Sequence, residues 1–140
     1  MENLHLKNLN NNQTKKHIEL ILNSININNE VIQEFKDLYI TDLYDDNYDT
    51  EHLIEIANEM IYIINITKNF IPNQKLTDDE IKKLEQEHLL LITKYEYVHY
   101  TDYLIQYTTN PEGEFDTDYK EISIIIDKNN IIEEINYSNI

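Results

Sequence analysis

Apolar residues along this chain recur first at helical spacing and then at strand spacing, with the change near residue 92. Ile18, Ile21, Leu22 and Ile25 share one helical face, and Val31, Phe35 and Leu38 share another after the polar pair Asn28 and Asn29. This spacing predicts two short amphipathic helices forming a hairpin. Thr14 is the expected first cap, after an Asn-rich, loosely ordered tail over residues 1–13. A third helix is expected from about Asp49 or Thr50 to Asn69, with Leu53, Ile54, Ala57, Met60, Ile61 and Ile64 on its apolar arc. Between Met60 and Ile66 that helix is apolar nearly all round, which marks it as the buried central helix of the domain.

Local start and stop signals sharpen the next part. Pro72 closes the third helical region. Thr77, Asp78, Asp79 and Glu80 form a capping-box sequence, with Leu76 and Ile81 placed as a hydrophobic staple. Ile81, Leu84, His88 and Leu91 then mark the face of a fourth helix. Past residue 92 the period is two, with Tyr95, Tyr97, His99 and Tyr103 on one parity and Ile92, Val98, Tyr100 and Leu104 on the other. The segment Asn110 to Gly113 reads as a turn. Tyr119 to Ile126 and Ile131 to Tyr137 read as a hairpin around residues 127–130. The expectation is one α+β domain over 14–140: about four helices over 14–91 packed on an antiparallel sheet of three to four strands over 92–140.

Charge then changes the picture. The chain holds 27 acidic residues against 11 lysines and no arginine, for a formal net charge of -16. Segments 42–59 and 101–140 each carry a net charge of -7, and the first of them contains no lysine. The wealth of Ile, Asn, Tyr and Lys is that of AT-rich coding, which raises the lysine content. Acidity reached against that drift reads as selected. Such a field repels nucleic acid and anionic membrane and speeds encounter with a basic partner. No stretch approaches the ~20 apolar residues of a membrane helix, and no signal-peptide core is present, so a cytoplasmic protein is expected. The lack of cysteine removes disulfides and thiolate chemistry.

Two acidic stretches are the candidate contact sites. The first contains Asp42, Tyr44, Asp45, Asp46, Tyr48, Asp49 and Glu51. Its alternate carboxylates resemble the start of an EF-hand loop, but Thr50 replaces the glycine that the sharp turn needs and Ile56 replaces the bidentate Glu. It reads either as an acidic helix N-terminus favoured by the dipole or as a patch in which tyrosines supply area beside carboxylates that pair with Lys or Arg. The second contains Glu112, Glu114, Phe115, Asp116 and Asp118 and repeats the same mixture in a loop. A divalent ion there is a minor reading, and no metal or cofactor is expected.

Eleven tyrosines are present, five of them between Tyr95 and Tyr107, and they read as a half-buried sheet face or as an aromatic recognition surface. Base stacking is disfavoured because only Lys94 and Lys120 lie near. Histidine spacing, serine context and the single glycine supply no hydrolytic, metalloprotease or phosphate-loop motif. The expected function is therefore a binding protein rather than an enzyme. It would be an inhibitor, monomeric or a small homo-oligomer, that blocks a basic nucleic-acid-handling protein such as a nuclease. It would act as a toxin immunity protein or as an anti-defence, anti-CRISPR-type inhibitor, and could be a partial DNA mimic that does not itself contact nucleic acid. Mimicry asks for rows of carboxylates at phosphate-like spacing, about 6–7 Å.

The order of elements over about residues 50–140, helices followed by an antiparallel sheet, also resembles the cone-shaped nuclear-transport-factor-2-like fold, although the strand hairpin expected between its early helices is not visible. That resemblance implies a small-molecule pocket in a ligand-binding or enzymatic domain, and a deep pocket lined by the tyrosines with a buried carboxylate of raised pKa would favour it.

Overall fold

A computed structural model describes residues 9–45, 49–86, 92–108 and 119–139. Four helices precede four strands: α1 (Asn11–Asn23), α2 (Glu30–Leu43), α3 (Thr50–Thr67) and α4 (Asp78–Leu84), then β1 (Ile92–Glu96), β2 (Tyr100–Thr108), β3 (Tyr119–Asp127) and β4 (Ile132–Asn139). The strands form one antiparallel sheet in the order β1-β2-β3-β4, and the fold is α+β.

Each helix starts where a side chain can satisfy its free amide groups. The first cap is Asn10 rather than Thr14. Asn10 Oδ1 accepts from the Gln13 amide at 2.8 Å, and Gln13 Oε1 accepts from the Asn10 amide at 3.0 Å. Thr14 lies one turn inside the helix, fully buried, and its hydroxyl donates to the Asn10 carbonyl at 2.9 Å. Asn10 is the cap because Gln13 stands three residues on and completes the reciprocal box, whereas the residue three on from Thr14 is His17.

Asn29 caps α2 by accepting from Val31 and Ile32 at 2.8 and 3.2 Å, while its Nδ2 donates to the Phe70 carbonyl at 2.6 Å. Its neighbour Asn28 reaches the same region, donating its backbone amide to the Lys68 carbonyl at 2.8 Å. The polar break between α1 and α2 thus ties α2 to the end of α3. At α4 the expected box forms, Thr77 and Glu80 exchanging hydrogen bonds at 2.9 and 3.1 Å. That helix ends at Leu84, earlier than expected; His88 and Leu91 lie outside the described residues.

The buried stripe of α2 is Ile32, Phe35, Lys36, Tyr39 and Leu43. Val31 and Leu38, expected inside, are only half-buried, so the helix is turned by about one residue, roughly 100°, from the expected phase. The large rings set this phase: Phe35 and Tyr39 each meet the Tyr107 ring edge-on at 5.2 Å between centroids. Helix α3 buries Leu53, Ile56, Ala57, Met60, Ile61, Ile63, Ile64 and Thr67, the wide arc expected of a central helix.

Strand parity departs from the expected single alternation. Glu96 pairs with Thr101, and the amide of Tyr97 donates to the Tyr100 carbonyl at 2.9 Å, so the run is two strands joined by a tight turn. Across that turn the parity flips. Ile92 and Lys94 share a face with Tyr103 and Ile105, and through the next registers with Ile122, Ile124 and Ile135. This face is the one buried under the helices, and each buried isoleucine contributes about 2 kcal/mol. A bulge between Ile125 and Ile126 lets Ile126 and Ile132 both stay inside.

The β3–β4 hairpin forms where its turn residues predicted it. Asp127 Oδ1 accepts from the amides of Asn129 and Ile131 at 2.8 and 3.0 Å, and Asn130 takes a φ of 63°, which asparagine tolerates well. The α3–α4 connection then runs along the start of β4: the Asn73 amide donates to the Ile132 carbonyl at 2.7 Å and the Ile132 amide to the Gln74 carbonyl at 2.9 Å. Asn73 turns into this edge with a φ of 72°.

Candidate interaction surface

The first acidic stretch spans the end of α2 and the start of α3, and the fold separates its members. Asp42 points inward. Its carboxylate accepts from the Tyr107 hydroxyl at 3.1 Å, with the Lys120 ammonium 3.8 Å away, and both charged side chains are largely shielded. Burial, then the Asp42 charge and hydrogen bond, push the Tyr107 hydroxyl well above the usual tyrosine range, so it stays a proton donor. Asp42 therefore locks α2 to the sheet.

Tyr44 is 45% exposed, and its hydroxyl donates to the Glu19 carboxylate on α1. That hydrogen bond, followed by burial, raises its pKa. The bond holds the ring on the surface beside a carboxylate that sequence spacing did not single out. Asp45 is exposed. Asp46 and Tyr48 lie outside the described residues, as do Glu112, Glu114, Phe115, Asp116 and Asp118 of the second stretch.

Asp49 is the N-cap of α3. It accepts from the His52 amide at 2.9 Å, and that backbone bond, together with the nearby His52 ring, holds its carboxyl below the ordinary aspartate range. The helix that Asp49 starts then presents Glu51, Glu55 and Glu59, three carboxylates at intervals of four residues. Glu51 and Glu55 are exposed and Glu59 is half-buried. Four residues of α-helix advance about 6 Å, so these side chains form a row on one side of a rod. No lysine or arginine occurs between Asp42 and Glu59 to interleave with it. The N-terminus of α3 is braced by α1, whose Asn11 Nδ2 donates to Thr50 Oγ1 at 3.4 Å.

Glu55 and Glu59 were legible from spacing once the helix was assigned, because i, i+4 positions share a face. They fall outside the candidate stretch that ends at Glu51 because the density of acids along the chain drops there, although around the helix the three stand together.

A second polar cluster joins α4 to the sheet. Glu85 Oε1 accepts from the Tyr103 hydroxyl at 2.8 Å and pairs with Lys94 at 3.2 Å; Lys94 also reaches Glu96 at 2.9 Å. The Tyr103 bond, then Lys94, holds the Glu85 carboxyl low, while burial and Glu85 hold the Tyr103 hydroxyl high. These groups fasten elements together and leave no open acid–base pair.

The clustered tyrosines divide by strand parity. Tyr103 and Tyr107 are core residues, whereas Tyr95 and Tyr97 are about half exposed and Tyr97 stacks on Tyr100 at 4.6 Å. Two shallow grooves of about 470 and 400 Å³ lie on the helical side. The larger is lined by residues that include Tyr62, Lys68, Phe70 and Lys83, the smaller by Ile21, Ile25, Ile61 and Lys68, and no strand residue lines either one. Among the described residues, no three His, Asp or Glu side chains are grouped to hold a metal ion, and no helix is long and apolar enough to cross a membrane. No protein-family model, curated protein or solved structure matches the chain.

Proposed function

We propose that this protein is a small inhibitory binding protein whose acidic surface occupies the basic site of a nucleic-acid-handling protein, as an immunity protein or an anti-defence inhibitor does. The observation that carries this reading is the Glu51, Glu55 and Glu59 row on α3, preceded by exposed Asp45 and Asp49. Its step of about 6 Å is close to the spacing of successive phosphates on one nucleic-acid strand, about 6–7 Å, and it lies on the convex side of a helix.

A row of like charges at i, i+4 weakens its own helix by about 0.2–0.5 kcal/mol per pair. Glu51 and Glu55 are exposed, and a feature that costs stability locally at surface positions is where function is expected. A complementary basic cleft would gain rapid, salt-sensitive association from this field, with Tyr44 as an adhesive ring at its border.

The test is affinity capture from lysate of the source organism and of its neighbours or hosts, washed at about 0.1 M and about 0.5 M salt. A variant carrying Asp45→Lys, Glu51→Lys and Glu55→Lys serves as control and leaves the Asp49 cap intact. Expected is a nucleic-acid enzyme retained by the native protein alone, and inhibited by it in competition with its nucleic-acid substrate. Equal capture by both proteins, or a captured enzyme that stays fully active, refutes the reading.

A further inference from the structure

The longest stretch of the chain without an acidic residue is 60–77, which carries Lys68 and Lys75 although the net charge of the whole is -16. It forms the C-terminal half of α3 and the connection to α4, and it contributes to the lining of both grooves on the helical side. The grooves share Asn65 and Lys68, so they are two arms of one trough that crosses α3. Ile21, Ile25 and Ile61 line the arm toward α1, and Tyr62, Ile66 and Phe70 line the arm toward α4. Among the described residues no acid lines the α1 arm. Glu80, the acid that lines the α4 arm, is held by its capping box, accepting from the Thr77 amide at 2.9 Å.

Where the arms meet, the polar groups have bonding capacity left over. Lys68 is half-buried, yet no carboxylate of the described residues pairs with it, whereas the covered lysines Lys36 and Lys120 reach Asp37 and Asp42 at 3.7 and 3.8 Å. Asn65 Nδ2 donates to the Ile61 carbonyl at 3.0 Å, which leaves its Oδ1 as an acceptor. Asn69 Oδ1 accepts from Asn28 Nδ2 at 2.6 Å, which leaves its Nδ2 as a donor. One acceptor and one donor, four residues apart on α3, thus stand beside a half-buried cation. The walls are already fixed: the Asn28 amide donates to the Lys68 carbonyl at 2.8 Å, and the Tyr62 hydroxyl to Gln86 Oε1 at 2.7 Å. A ligand would not have to order them.

Shape and charge together select an occupant. A shallow trough cannot enclose a small molecule, whose site ordinarily buries about 70–90% of its surface. An extended chain fits better. Its side chains on one face recur every second residue, so three of them span about 13 Å, enough to cross an α-helix about 10–12 Å wide. We propose that this trough binds a short extended segment of a partner protein in which an Asp or Glu stands between two apolar residues, each two positions away. The carboxylate pairs with Lys68, the backbone exchanges hydrogen bonds with the Asn65 and Asn69 side chains, and the two apolar side chains enter the arms. Charge-assisted hydrogen bonds are the stronger kind, and the arms set the register. Burial, then the Glu59 charge, raise the Tyr62 pKa, so the α4 arm suits an uncharged side chain. Screening limits the reach of the chain's overall negative field to about 8 Å at physiological salt, so the carboxylate meets the local charge rather than the total.

The trough lies at the opposite end of α3 from Glu51 and Glu55 and takes a ligand of opposite charge, so this inference and the inhibitor reading can fail separately. The probe is a fluorescein-labelled peptide of about nine residues, long enough to span the trough when extended. It carries Leu, Asp and Phe at alternate central positions among Ser and Gly, in both orders of Leu and Phe. Binding to the full chain is followed by anisotropy at about 0.15 M salt. Control peptides replace the Asp by Asn or by Lys, and N-acetylphenylalanine serves as a small carboxylate competitor.

Expected is about tenfold weaker binding of the Asn peptide, the effect of losing one hydrogen bond between charged groups. Lys68→Gln should bind the Asp and Asn peptides alike, and Lys68→Glu should prefer the Lys peptide. Amide shifts on binding should fall within 21–26 and 61–70, and Glu51→Lys/Glu55→Lys should bind as the native chain does. The proposal is overturned by no binding up to about 1 mM peptide, by equal binding of the Asp and Asn peptides to the native chain, or by a Lys68→Glu chain with no preference for the Lys peptide. Binding of N-acetylphenylalanine as tight as that of the peptide also overturns it, because the occupant would then be a small molecule.

Discussion

Replacing Glu55 by lysine should make the protein more stable while disarming it. Glu55 is exposed in the second turn of α3, four residues from Glu51 and four from Glu59. Each like-charge pair at this spacing costs about 0.2–0.5 kcal/mol, and each opposite pair contributes about as much. Glu55→Lys converts two pairs, so the gain is about 0.8–2 kcal/mol. The centre of that range is favoured, because the introduced lysine precedes Glu59 along the helix, which is the weaker orientation for such a pair. The helix dipole changes little, since residue 55 lies beyond the first turn. For a chain of this size the gain corresponds to a Tm increase of about 5 °C.

Glu55→Gln removes the two repulsions without adding attractions and should give about half the effect. Thermal unfolding in about 0.02 M and about 1 M NaCl separates the causes, because a Debye length near 3 Å at the higher salt screens charges 5–6 Å apart. A variant less stable than the native chain, or a gain that survives unchanged in high salt, would refute the electrostatic account of the row and with it the argument that the row is retained for binding.

Two further outcomes test the fold. Asn29→Ala should cost about 2–4 kcal/mol in urea unfolding, combining a lost helix cap with an unsatisfied Phe70 carbonyl, whereas Asn29→Ser should recover about 1 kcal/mol by keeping the cap; equal losses would show that the cap contributes nothing. Tyr103 and Tyr107 have folded-state pKa values above the unfolded value near 10, so the stability they contribute is complete below about pH 10 and falls as pH rises toward their folded values. Their tyrosinate absorbance should therefore develop only together with loss of circular dichroism, and a full tyrosinate signal in a folded protein would contradict their burial against Glu85 and Asp42.

Local chemistry was readable from the chain alone. Thr77 and Glu80 cap a helix through atoms three residues apart, Asp127 closes a hairpin by accepting from the Asn129 and Ile131 amides with Asn130 at positive φ, and α3 announces itself by an apolar arc too wide for any surface helix. Each depends on neighbours in sequence, so composition and spacing determined them, along with the division into helices and then strands.

Tertiary packing decided the rest. The phase of α2 depends on Phe35 and Tyr39 meeting Tyr107, which is distant in the chain, and the parity flip between β1 and β2 depends on where the sheet turns at Tyr97. Asp42 looked like its acidic neighbours until Tyr107 and Lys120 claimed it. Charge density along a chain and the sharing of a helix face at i, i+4 are sequence properties, but which carboxylates are consumed internally follows from the contacts that bury the other side of each element.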